Sequence, residues 1–130
     1  MNQPEIVICH PKRTAVGRYG GAFVGVPVQD LATAVVTAVI KESGIDGSLV
    51  DDIILGQASP NGAAPALGRV VALDAELGVN VPGMQLDRRC GSGLQAVATA
   101  AAHVASGAAD LIIAGGAESM SNTCLLYTSD

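Results

Sequence analysis

Two arginines, a cysteine and a Gly-Ser-Gly run stand together at residues 88–93, inside the stretch LDRRCGSGLQA that spans 86–96. Structural cysteines buried in a core seldom have such neighbours. The residues before Cys90 read as a strand and those after it as a helix. A side chain at such a junction is exposed at the C-terminal edge of a sheet, where α/β sites lie. A helix N-terminus offers unpaired N–H groups and a partial positive charge. Together with Arg88 and Arg89 these favour a thiolate, and the same N–H groups suit a developing oxyanion. Gly91 and Gly93 keep the approach to sulfur open. The competing reading is a small core hydrophobe, which is what most cysteines are. Cys90 precedes Gly-Ser-Gly, so this is not the hydrolase elbow, and Ser92 reads as a helix-start residue.

A nucleophile usually works with a base, and only two histidines exist. His103 lies 13 residues along the same helix, roughly 20 Å away at the usual rise, on an exposed or half-buried face. His10 ends an apolar run near the N-terminus, where a loop or packing role is expected. The sequence offers a nucleophile without a convincing base.

The elements that must position Cys90 follow from the hydrophobic pattern. Residues 5–9, EIVIC, form a short β-branched run stopped by Pro11 and are predicted to be a buried strand, with Cys9 inside it. A glycine-bearing loop follows. A helix starts near Pro27 with Asp30 in its first turn, carries an apolar stripe at Val28, Leu31, Ala32, Val35, Val36, Val39 and Ile40, and stops at Gly44. Residues 52–56 are a second strand and 66–77 a second helix. Residues 83–87 are a third, weaker strand, an alanine-rich helix runs from about Cys90 to Ser106, and 111–114 is a fourth strand. The order β-α-β-α-β-α-β implies an α/β layered domain with a mostly parallel sheet. The Cys90 helix is small-residued nearly all round, so it calls for more cover than 130 residues supply.

Composition narrows the function. The chain is 49% hydrophobic with three aromatic residues (two Tyr, one Phe), so the core must be aliphatic. With 7 basic against 12 acidic side chains the net charge is −5, and no basic patch suits nucleic acid. The few basic clusters fit a small anionic ligand better. Cys9, Cys90 and Cys124 have no zinc-like spacing, and an odd count argues against a disulfide framework and for a reducing compartment. No signal peptide or membrane-length apolar run is present, which leads us to expect a soluble, cytoplasmic protein without metal or resident cofactor.

The stretch RRCGSGLQAVATAAAHVASGAADLIIAGGAESMS, residues 88–121, resembles the nucleophile segment of the thiolases and the Gly-Gly-x-Glu-Ser-Met-Ser turn that follows it in that family. RTAVG at 13–17, VDDIILGQ at 50–57 and GRVVALDAELGVNVPG at 68–83 are similar in the same sense. The resemblance covers nearly everything from Glu5 to Asn122. It implies the N-terminal half of a five-layer αβαβα architecture with the Cys90 helix in the central layer. The implied activity is a reversible Claisen condensation and thiolysis of 3-ketoacyl-CoA through an acyl-thioester on Cys90. Acyl-CoA and CoA are then substrates, and the full-length protein is a homodimer or homotetramer, paired through the strand before the nucleophile. Many family members have Asn where Asp87 stands; a carboxylate there would act on the thiol or pair with Arg88 or Arg89.

The family's Asn-Glu, Gly-His-Pro and Cys-x-Gly-Gly-Gly motifs, which position the base, an oxyanion hole and the second thiol, are not in these residues. Only Cys90 carries over, CoA contacts are unassigned, and the fragment alone is expected to be inactive. Residues 123–130, TCLLYTSD, do not continue the pattern and read as a truncated or adapter-derived end, leaving 1–122 as a partial N-terminal domain. The alternatives are a non-catalytic half-fold binding or assembly module and a related 3-ketoacyl synthase-type enzyme.

Overall fold

The computed structural model describes residues 4–123. Cys124 and the other residues of 124–130 lie outside that range. Three strands form one parallel sheet in the order β2-β1-β3: β1 (Asp52–Gly56), β2 (Gly83–Leu86) and β3 (Ile112–Gly116). Helices α1 (Val28–Ser43), α2 (Leu67–Asp74) and α3 (Ser92–Ala105) precede or connect them. The alternation expected from the sequence is present from α1 onward.

The helix boundaries have local causes. Asp30 sits in the first turn of α1 and Lys41 in its last, each matched to the helix dipole. Gly44 closes α1 in the left-handed conformation, its N–H donating to the Ile40 carbonyl. α2 is shorter than the apolar stripe suggests. Its end unwinds over residues 75–77, where Glu76 takes a positive φ and the Leu77 N–H turns back to the Ala72 carbonyl.

The sheet separates two apolar layers. On one face Ile53 and Leu55 pack with Val28, Val36, Leu67 and Val71 of α1 and α2. On the other, Ile54 meets Ala96 and Ala100 of α3. This division follows from the two-residue period of a strand. Alanines on α3 let the helix lie close to the sheet. That contact buries one face of α3 and leaves Leu94 78% exposed.

Two expectations fail at the N-terminus. Residues 5–9 are not a strand, and Cys9 is exposed rather than buried. Ile8 is 79% exposed. The run lines a long apolar groove with α1, α3 and β3, but it joins none of the three strands of the sheet. A strand needs a neighbour for its backbone groups as well as apolar side chains, and the sequence pattern reports only the side chains. His10, after this run, has a positive φ of 53°.

Candidate functional site

The three parallel strands end together at Gly56, Leu86 and Gly116. α3 begins directly over β1 and β3. A Cβ on Gly56 would collide with the Ser92 backbone, and one on Gly116 would lie 3.2 Å from the Gly93 Cα. Glycine at both positions is what lets the start of α3 approach the sheet edge.

Cys90 precedes α3 by two residues, on a turn rather than in the first helical turn. Ser92, only 4% exposed, fixes that turn. Its hydroxyl accepts from the Arg88 N–H (2.8 Å) and donates to the Arg89 carbonyl (2.6 Å). Ser92 is the first residue of α3, as its position in the sequence suggests, while its hydroxyl closes the preceding turn and does not cap the helix. Arg89 holds a left-handed φ of 50°, a conformation that costs a non-glycine residue about 1 kcal/mol or more. Asp87 offsets it: one carboxylate oxygen accepts the Arg89 N–H at 2.8 Å and the other lies 3.2 Å from Nη1. Of the two arginines, Asp87 pairs with Arg89.

Cys90 is exposed and not in a disulfide. It lines an open cavity of about 660 Å³ with Gly56, Ala58, Ser59, Arg89 and Glu118 among others. The N–H groups of Gly91 and Ser92 are already turned to the Arg88 and Arg89 carbonyls, at 3.0 and 3.1 Å. They are not free to meet an oxyanion, which narrows the donors expected from the helix N-terminus.

Neither histidine lines this cavity. His103 is half-buried near the far end of α3, as its spacing implies. Burial pushes the Asp52 carboxyl above the usual aspartate range, against the opposing pull of the Ile53 N–H and of His103. His10 lines the other groove.

The carboxylate that does line the Cys90 cavity belongs to Glu118, the glutamate of the Gly-Gly-x-Glu-Ser-Met-Ser stretch, to which residue type and spacing alone assign no role. Each of its oxygens accepts one backbone N–H: Oε2 that of Ala58 and Oε1 that of Ser59, each at 2.9 Å. Nothing in the spacing of Glu118, 28 residues after Cys90, announces this. Ser121 and Asn122 continue the tie: Asn122 Nδ2 donates to the Val26 carbonyl and Ser121 Oγ accepts the Gly20 N–H. No group of three or more His, Cys, Asp or Glu side chains suited to a metal ion exists among the described residues.

The chain matches the family model described as Thiolase, N-terminal domain, over residues 6–130. It is 40% identical over 117 residues to an acetyl-CoA acetyltransferase of Pseudomonas aeruginosa, a span of 90% of this chain and 30% of that one. It is 43% identical over 119 residues to a beta-ketoadipyl-CoA thiolase of Pseudomonas knackmussii, again covering 90% and 30%. Its fold superimposes on the crystal structure of the Bacillus anthracis acetyl-CoA acetyltransferase with a TM-score of 0.82 and 32% identity, over 87% of this chain and 29% of that one. The chain thus spans about 30% of the length of the curated relatives it matches.

Proposed function

The chain belongs to the thiolase family, as part of its N-terminal domain, and on that premise we propose that it carries the acyl-accepting half of an acyl-CoA C-acyltransferase, with Cys90 as the nucleophile. The observation that supports this reading most directly is the exposed Cys90 thiol in a cavity at the C-terminal ends of three parallel strands. In the thiolytic direction Sγ bonds to the keto carbon of a 3-ketoacyl-CoA as the C2–C3 bond breaks. The released electron pair stays on C2 of acetyl-CoA, which takes up a proton. The thiol of CoA then displaces the acyl group from Sγ, and the thiolate leaves. In the synthetic direction the carbanion of a second acetyl-CoA attacks the same acyl-enzyme.

These proton transfers require a base. The Cys90 cavity contains no histidine, and its glutamate is engaged by two amides. We therefore assign the base, the second thiol and the CoA pocket to residues beyond these. The 130-residue chain by itself is expected to show no steady-state thiolysis of acetoacetyl-CoA. Joined in frame to a C-terminal half bearing the His and second Cys motifs, it should turn over, and Cys90→Ala should abolish that turnover. Thiolysis that survives Cys90→Ala overturns the assignment.

Assembly as a homodimer or homotetramer belongs to the same proposal. β2 is an edge strand of the sheet, and an unpaired edge invites pairing with another copy. A cytoplasmic setting fits two free, exposed cysteines. No helix among the described residues is long and apolar enough to cross a membrane. Residues 123–130 are proposed to lie outside the fold, so removing them should leave the thermal midpoint unchanged; a drop of several degrees would make them part of it.

A further inference from the structure

We propose that Glu118 is a positioning residue for Cys90: its carboxylate clamps the loop after β1, and that loop holds the Arg89 turn that presents the thiol. This rests on the nucleophile reading of Cys90.

The contacts form one continuous path. Glu118 follows β3 and accepts two successive backbone N–H groups, from Ala58 and Ser59. Amide bonds to a charged acceptor are the stronger kind, and two adjacent ones fix a peptide plane as well as a position. The carbonyl of the same Ala58 accepts from Arg89 Nη1 at 3.1 Å. The Arg89 backbone, at its positive φ, directly precedes Cys90. Glu118, Ala58, Ser59, Arg89 and Cys90 all line one cavity.

The alternative role for a carboxylate in a nucleophile's cavity is general base. A base needs a lone pair within hydrogen-bond reach of the proton it takes. Here each Glu118 oxygen is oriented by a backbone N–H, and no hydrogen bond joins Cys90 to either oxygen among the described residues. The carboxylate acts through the backbone, and the effect reaches sulfur by way of Arg89. The loop is tied to β2 at Gln57, whose N–H donates to the Leu86 carbonyl at 3.0 Å and whose carbonyl accepts from Gln85 Nε2 at 3.4 Å; at the next two residues the N–H groups are held by Glu118.

Cys9 gives the experiment an internal reference, since it too is exposed. Iodoacetamide labelling of the native chain, resolved by peptide mass spectrometry, yields the ratio of the Cys90 rate to the Cys9 rate. Amide hydrogen exchange at Ala58 and Ser59 reports the clamp itself. In Glu118→Ala, exchange at both amides should accelerate and the Cys90:Cys9 ratio should fall several-fold toward its value in denaturant. Glu118→Gln keeps one acceptor oxygen, so it should fall between the two, and it preserves the test if Glu118→Ala does not fold. A general loss of structure would move both cysteines, and the ratio would not isolate Cys90.

Faster exchange with an unchanged ratio overturns the proposal while the nucleophile reading stands. A ratio that rises in both variants also overturns it, because removing the negative charge would then dominate. A ratio near one in the unsubstituted chain overturns the nucleophile reading, and this proposal with it.

Discussion

Residues 5–9, EIVIC, and 52–56, DIILG, are nearly the same sentence: an acid, then β-branched or aliphatic residues. One is the centre of the sheet and the other is exposed loop. Ile53 is 0% exposed and pairs on both sides, with Gly83 of β2 and Ile113 of β3. It also has α2 packed against its face through Val71 and Leu67. Ile6, in the matching position, is 41% exposed, and neither it nor Ile8 has a strand on either side among the described residues. Apolar pattern makes both runs eligible; neighbours that satisfy the backbone and cover the side chains select one.

The contrast is broken most severely at the buried run. Ile53→Ala should cost about 4 kcal/mol, through lost transfer energy and the cavity left between β1 and the α1–α2 layer. Urea unfolding measures it, and a cost below about 1 kcal/mol would mean that β1 is not the centre of the core. Gly56→Ala follows at about 3 kcal/mol, because the new methyl meets the Ser92 backbone. It should also lower the Cys90 labelling rate, since α3 must shift to admit the methyl.

Two neighbouring aspartates sharpen the comparison through pH. Asp51 accepts the N–H groups of Asp110 and Leu111, which hold its carboxyl below the usual range. Its contribution is present above the unfolded-state pKa and is lost as pH falls through the lower folded-state value. Asp52, at the start of the buried run, has its carboxyl raised by desolvation. It works against the fold once ionised, and that penalty is relieved as pH falls through its raised value. Asp51→Asn should therefore lower the thermal midpoint at neutral pH and Asp52→Asn should raise it, both differences shrinking under strong acid. Midpoints across a pH series decide; equal signs would show that the two carboxyls sit in equivalent surroundings.

The smallest effect belongs to the exposed run. Ile8→Ala should change stability by no more than about 0.5 kcal/mol. A loss near that of Ile53→Ala would place Ile8 in a core.

From the sequence alone came the helix stripes, the glycine stop of α1, the alternation from α1 to β3 and the location of Cys90 at a strand-to-helix junction. These depend on periodicity and on residues a few positions apart, and such signals survive in one dimension. Tertiary structure decided the rest. It left EIVIC unpaired, turned the N–H groups of Gly91 and Ser92 inward, tied Asp87 to Arg89 and set both oxygens of Glu118 on the loop after β1. The partners of Glu118 lie about 60 residues away along the chain. A backbone N–H carries no side-chain identity, so a contact to it at that separation leaves no mark in the sequence, and only the folded chain brings the carboxylate, the loop and the thiol to one cavity.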